Sequence, residues 1–368
     1  MHPIVRSLTI VSLLPMANAA AAEMKYENGN GGSVLLYGQL DPAYLSFDDG
    51  VETTSDFVDN SASNSRVGIW VRQDYGANVL SFNFETALGF RQSGSLSQIF
   101  TPKAVNWQRT SIRKVDLSLK TDRFGTFYAG QGSMSTDGVA EVDLSGTTLA
   151  TYVSIPDTAG AFEFRDSAGA LSGRFIAGSF SDFDGARLGR VRYDTPTFAG
   201  FTLSASWGKE ILAQDSDFES AAIALRYANT IGDFQVQGAL GYADAKPSRN
   251  VAKFKDTIGS VSVLHASGVS VTLASGDRSD AGNYTYGKLG YQGNWLSIGT
   301  TAMSVDYYRG RERTADGSSA TSVGFGAVQS FHNANVHAYL GYRTYELTEP
   351  DASYQDASSV IFGARWKF

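Results

Sequence analysis

Val360-Ile361-Phe362-Gly363-Ala364-Arg365-Trp366-Lys367-Phe368 closes the chain. Side chains alternate between the two faces of a strand, so Val360, Phe362, Ala364, Trp366 and Phe368 fall together, opposite Gly363, Arg365 and Lys367. One face suits hydrocarbon and the other suits water. The same division recurs upstream. Val34, Leu36, Gly38, Leu40 and Tyr44 oppose Tyr37, Gln39 and Asp41, and Val67, Ile69 and Val71 oppose Arg66, Gly68 and Arg72. Between Leu80 and Arg91, the set Leu80, Phe82, Phe84, Leu88 and Phe90 opposes Asn83, Glu85, Gly89 and Arg91. Faces rich in Arg, Glu, Asp and Gln make no dry core, because an unpaired buried charge is prohibitively costly. A wet inside and an apolar outside imply a closed barrel in lipid.

The rest of the chain keeps this rhythm. Further strands are expected near 107–120, 125–132, 187–194, 200–209, 219–229, 233–244, 253–266 and 269–277. Others are expected near 284–293, 298–309, 320–331, 335–346 and 359–368. The total is about sixteen, an even number that permits an antiparallel barrel. Asn229 to Asp233 and Asp122 to Gly125 read as short turns, and 49–62, 311–319 and 348–357 as longer polar loops. One gap interrupts the pattern between Gly132 and Arg187. A segment this long without its own elements is usually functional or disordered, and in a wide barrel it is expected to fold inward.

Composition agrees with a β protein: 12% aromatic residues, 39 Gly and only 8 Pro. With no Cys, disulfides and thiolate metal sites are excluded. Residues 1–22 have the order of a secretory signal: His2 and Arg6, an apolar stretch from Leu8 to Met16, then Ala17 to Ala22. Cleavage after Ala19 and after Ala22 both fit, and 23–368 is then one exported domain. Loss of Arg6 leaves 29 basic and 37 acidic residues, a net charge of −8. That acidity argues against nucleic-acid binding.

Other chemistry is thinly represented. His265 and Ser267 share a spacing that a hydrolase could use, with no evident acidic orienter. His332 and His337 flank a turn, and two ligands make a poor metal site. No cofactor is expected. Asp48-Asp49 offers oxygen ligands for weak calcium binding at most. A sugar-specific channel would show a run of lumen aromatics, and an exported soluble adhesin would need a dry alternating core.

Several segments together carry a resemblance. They are Val34-Leu35-Leu36-Tyr37-Gly38-Gln39, Ser65-Arg66-Val67-Gly68, Phe124-Gly125-Thr126-Phe127-Tyr128-Ala129-Gly130, and Asp137-Gly138 with Glu141-Val142-Asp143-Leu144-Ser145-Gly146. Arg192-Tyr193-Asp194-Thr195-Pro196, Phe198-Ala199-Gly200-Phe201 and the terminal Phe368 complete the set. Over 33–368 the chain resembles the general diffusion porins of Gram-negative bacteria, the trimeric sixteen-stranded type, and especially the alphaproteobacterial members. The resemblance implies an outer-membrane homotrimer that passes small hydrophilic solutes and ions, without catalysis. It implies a third loop folded into the lumen, presenting Asp137, Glu141 and Asp143 to basic wall residues drawn from Arg66, Arg91, Arg109, Arg190 and Arg192. Family members often carry Arg just after the Gly before the loop. This chain has Gln131 there, which lowers the positive charge expected at the neck. The outer wall, with Phe362, Trp366 and Phe368 on its C-terminal strand, is expected to face lipid across a polar, wet lumen.

Overall fold

The computed structural model describes residues 24–247 and 252–368. The expected signal segment, 1–22, lies outside the described residues. The described chain forms one closed antiparallel barrel of sixteen strands. Strand β1 comprises Gly32–Leu40 and Pro42–Asp48, with Pro42 at the break, where no backbone N–H is available. Strand β2 is likewise in two parts, Thr53–Asp59, which pairs with Pro42–Asp48, and Arg66–Tyr75, which pairs with Gly32–Leu40. The excursion between them, 60–65, carries Asn60, Ser63, Asn64 and Ser65. There follow β3 Asn78–Ala87, β4 Ile112–Thr121, β5 Gly125–Ser133, β6 Arg187–Asp194, β7 Phe201–Lys209 and β8 Glu219–Ile231. Next come β9 Phe234–Lys246, β10 Phe254–His265, β11 Val269–Arg278, β12 Asn283–Leu296 and β13 Gly299–Arg311. The last are β14 Ser319–Phe331, β15 Val336–Glu349 and β16 Ala357–Lys367. Each pairs with its sequence neighbour, and β16 closes on β1.

Closure involves both ends of the chain. Gly38 and Phe368 exchange backbone hydrogen bonds of 2.9 and 3.1 Å. Just beyond, the strand Met24–Glu27 pairs with β1 from Leu36 to Ser33, continuing the line that β16 leaves at Phe368. Among the described residues no helix is long and apolar enough to cross a membrane.

Two connections differ from the sequence expectation. Thr53–Asp59, expected within a polar loop at 49–62, is strand. Its Thr, Ser and Asp side chains read as loop, but the ladder to Pro42–Asp48 satisfies its backbone on one side. Conversely, β3 stops at Ala87 and β4 starts at Ile112, later than the expected 107. The segment 88–111 is therefore a long excursion at the rim that carries the long loops, and Arg91 and Arg109 belong to it rather than to the wall. The other rim has short connections, ringed by Tyr75, Phe124, Phe201, Phe234, Trp295 and Trp366, all exposed. An aromatic girdle of this kind suits a membrane interface.

Alternation assigns the two surfaces. Leu36, Val71, Phe82, Leu117, Val191, Leu240, Leu273, Leu289, Leu340 and Phe362 are exposed on the outside, while neighbours such as Asn83, Asp116, Arg190, Ala239, Thr272, Lys288, Tyr339 and Ile361 are buried inside. Inside, residues 134–186 run along the inner wall rather than away from the rim. Backbone N–H groups of Ser135, Val142 and Leu144 donate to the hydroxyls of Ser206, Ser260 and Ser262, which face inward on β7 and β10. Thr147 and Thr151 bond Ser304 on β13, and Tyr308 donates to the Ser181 carbonyl at 2.8 Å.

The interior is not uniformly polar, contrary to expectation. Phe47, Tyr284, Tyr308 and Tyr345 from the wall meet Phe162, Phe180 and Phe183 of segment 134–186, all at most 3% exposed. Their rings form a chain of contacts: Phe183 with Tyr284, Tyr284 with Tyr308, Tyr308 with Phe180, Phe180 with Tyr345, Tyr345 with Phe47, and Phe47 with Phe162. The centroids lie 4.1–5.8 Å apart. Each such pair adds about 0.5–1.5 kcal/mol beyond area burial. Segment 134–186 thus sits on a dry aromatic seam along one side of the barrel.

Candidate channel lining

The wall from β16 through β1 to β6, which adjoins that seam at Phe47 of β1, carries a cluster of basic residues. On β3, Asn83 and Glu85 face inward and the Tyr37 hydroxyl donates to Glu85 at 2.9 Å. A bulge sets the basic side. Glu85 pairs with Lys114, but Thr86 pairs with Ile112, so Arg113 is an extra residue on β4. A bulge re-aims side chains. Here it lets two consecutive cations address one carboxylate: Arg113 Nε donates to Glu85 Oε1 at 2.7 Å, and Lys114 is its ladder partner. Arg66 lies 3.8 Å from the other Glu85 oxygen. Arg66 is also within Coulombic reach of Arg113, Arg187 and Arg365. Asn64, from the excursion in β2, accepts from both Arg66 and Arg113 through Oδ1, at 3.3 and 3.4 Å.

The remaining expected cations are differently employed. Arg190 makes a bidentate pair with Asp116, both contacts 2.8 Å, and its guanidinium lies over the Tyr128 ring. Arg192 chelates Asp194 at 2.7 and 3.0 Å and donates to the carbonyls of Ser133 and Met134. These two tie the start of segment 134–186 to the wall. Arg91, in the 88–111 excursion, is bonded to Asp56 and to the Pro102 carbonyl. Arg109 is exposed and donates to the Leu212 carbonyl, away from the group. Gln131 is buried, and its side-chain carbonyl has no hydrogen-bond partner.

Of the three acids, each has its own setting. Asp137 lies 3.5 Å from Arg187, and its backbone carbonyl accepts from Arg226 at 2.8 Å. Asp143 is sealed against β12: Lys288 Nζ donates to it at 2.7 Å, with the two side chains 0% and 4% exposed. Lys288 also donates to the Thr151 carbonyl, at 2.7 Å. Burial alone would raise the Asp143 carboxyl, but the Lys288 ammonium holds it below its ordinary value. Glu141 instead sits among like charges. Burial, then Asp184 and Asp182, push its carboxyl well above the usual range. Burial with Asp182 likewise pushes Asp184 up to about 8, even though it accepts the backbone N–H groups of Gly138 and Ala140. Asp157 is pushed up to about 7 by burial and by Asp182, against the pull of Arg187 and Arg113.

Sequence reasoning did not single out Arg113, Lys114, Arg187, Arg365 or Lys288. Inward parity was available for Lys288 and Arg365. The bulge that turns Arg113 inward leaves no trace in the pattern. His265 ends β10, and Ser267 lies in the turn beyond it rather than on one strand face. The same ring nitrogen, Nδ1, meets the Ser267 hydroxyl at 2.8 Å and accepts its backbone N–H at 3.1 Å, a local turn arrangement. Asp49 is paired with Arg165, and among the described residues no three His, Cys, Asp or Glu form a metal-ligating group.

A Gram-negative porin family model matches residues 7–349. The chain belongs to the Gram-negative porin family. Its place is the outer membrane of a Gram-negative bacterium, where it forms a channel for diffusion. Among solved structures, the anion-selective porin from Comamonas acidovorans is similar at TM-score 0.62 and 16% identity, covering 92% of this chain and 100% of that one. Salmonella typhi OmpF, in complex with daunomycin, is similar at TM-score 0.58 and 15% identity, covering 94% and 100%. In-vitro folded OmpT of Vibrio cholerae, in its trimer form, is similar at TM-score 0.56 and 17% identity, covering 92% and 100%. These likenesses concern the fold. No curated protein matches this porin.

Proposed function

We propose that the porin is a passive, water-filled channel for small hydrophilic solutes and ions, without catalysis or cofactor. Its neck lies between segment 134–186 and the basic wall. The observation that carries this reading is the set of hydrogen bonds from that segment to inward-facing Ser206, Ser260, Ser262 and Ser304. A segment so held occupies cross-section on the aromatic side and leaves the passage beside Arg66, Arg113, Lys114 and Arg187. Opposed charges across a polar neck filter by size and sign. The acidic side is weakened, because Asp143 is neutralised by Lys288 and burial keeps protons on Glu141 and Asp184. The basic side therefore dominates near neutral pH and the channel prefers anions, as the anion-selective Comamonas porin does.

The functional unit is a homotrimer in outer-membrane lipid, its outer wall in contact with acyl chains and neighbouring copies. The trimer form of the Vibrio protein supports this by analogy. Residues 1–22 are removed on export. Planar-bilayer recordings in a salt gradient test the reading. Long-lived ohmic openings in triplets, with a reversal potential of anionic sign, are expected. A folded protein that conducts nothing refutes the channel, and a cationic sign refutes the charge assignment.

A further inference from the structure

Cations crowd one another on this wall, and the carboxylates within their reach are Glu85, Asp137, Asp157 and Asp41. Arg66 and Lys114 each lie within Coulombic reach of Arg113 and Arg187, and Glu85 is the carboxylate shared by Arg66, Arg113 and Lys114. Hydrogen bonds to neutral oxygens add to these: Asn64 Oδ1 takes Arg66 and Arg113, and Ser63 Oγ takes Arg365 at 2.8 Å. The Nε of Arg365 is buried without a hydrogen-bond partner, and that of Arg187 faces Asp137 Oδ2 outside hydrogen-bond geometry. Asp137 stands 3.5 Å from Arg187, beyond a short charge-assisted bond. Guanidinium groups gathered this way repel, and each pays desolvation, unless an anion joins them.

Beside the cluster lies a cavity of about 570 Å³. Arg91, Lys103, Arg113 and Arg187 line it, with the amides of Asn64 and Gln131, and Glu210 is the one acid among its described lining residues. Arg91 is committed to Asp56 and the Nε of Arg113 to Glu85, which leaves Lys103, Arg187 and the remaining N–H groups of Arg113 to face an occupant. The volume falls within the range of small-molecule sites. Planar guanidinium forks match oxyanions by paired N–H bonds, a geometry that a spherical halide cannot use.

We propose that this cavity is a saturable binding site for a small doubly charged oxyanion, either free or carried as the phosphate group of an organic solute. The site lies on the path taken by the solutes and so rests on the channel reading above. A channel with such a site concentrates its preferred anion at the neck and releases it to either side. Its flux then saturates where simple diffusion would stay linear.

The test is chloride conductance of the purified porin in planar bilayers, titrated with inorganic phosphate at constant ionic strength. Parallel titrations use glucose 6-phosphate and uncharged glucose. The expected result is a hyperbolic fall in chloride current with at least one of the two phosphates and none with glucose. Response to phosphate alone assigns the free anion, and response to glucose 6-phosphate identifies the ester as an occupant. Arg187→Gln is expected to raise the half-inhibiting concentration about tenfold, the loss of one charge-assisted contact, and Arg187→Lys to recover part of it. Native-like circular dichroism and heat-modifiable electrophoretic migration certify the fold of each variant, and inhibition is scored against that variant's own chloride current. A linear, non-saturating response, or an identical one in Arg187→Gln, overturns the site while leaving the channel intact. Absence of chloride current from the folded wild-type protein overturns both.

Discussion

Replacing Lys288 by Met tests how segment 134–186 is held. Lys288 and Asp143 are 2.7 Å apart, and their side chains are 0% and 4% exposed, so water cannot take the place of the lost ammonium. Met keeps the length of the stem and removes the charge together with the bond to the Thr151 carbonyl. Breaking a buried pair by deleting one partner costs about 3–5 kcal/mol, because the remaining charge is left uncompensated. The barrel ladder does not depend on this contact, so the cost falls on the attachment of the segment to β12. At about 1.4 kcal/mol per decade, local detachment becomes roughly a hundred- to a few-thousand-fold more populated. The expected signature is a normally assembled barrel with noisy current, higher-conductance substates and faster proteolysis within 134–186. The double variant Asp143→Leu with Lys288→Met removes both charges and is expected to recover most of the quiet baseline. If Lys288→Met is as quiet and as protease-resistant as wild type, or if the double variant is no better than the single, the anchoring role of the pair is refuted.

Further outcomes follow from the same geometry. Raising pH from about 6 to about 9 strips protons from Asp157, poised near 7, and Asp184, poised near 8, and adds negative charge beside the neck. The reversal potential should move toward cations over that window, and the shift should shrink in Asp184→Asn. The same raised carboxyls hold protons that the unfolded chain loses near pH ~4. Their contribution to stability is therefore full below that pH and is lost as pH rises toward about 8, which denaturant titration of the attachment of 134–186 will detect. Phe180→Ala opens the centre of the aromatic seam and should cost about 3–5 kcal/mol in thermal or urea unfolding. Phe362→Arg, on the outer face of β16, should cost up to about 2–4 kcal/mol in lipid if it lies near the midplane. It should leave ion selectivity unchanged.

Much of the wall was legible because a barrel surface is written in period two, and both of its solvents select residues strongly. The C-terminal strand shows this, with Phe362 and Trp366 exposed outside and Arg365 bonded to Ser63 inside. The gap at 134–186 was legible because it broke the period. Three features were not. Thr53–Asp59 reads as loop, since its polar side chains hide a backbone that pairs with β1. The inward Arg113 depends on one extra residue in the ladder, which slips the period without changing composition. The aromatic seam was masked because Tyr and Phe are the residues expected at membrane interfaces. Only the fold distinguishes Tyr284 and Tyr308, stacked 5.4 Å apart within the barrel, from Trp295 at its rim. The site was less legible than the wall because its pairs are long-range. All of β6 to β11 lies between Asp143 and Lys288 along the chain.

The seam of the barrel is made from the two ends of the chain, Phe368 against Gly38 and Met24 against Leu36. These partners lie far apart along the chain, so the cylinder cannot be sealed until β1 and β16 are both present. Any shortened product keeps a raw edge of unpaired backbone groups, which cannot rest in hydrocarbon. The join thus makes closure all-or-none, since a sheet without either partner keeps an open edge.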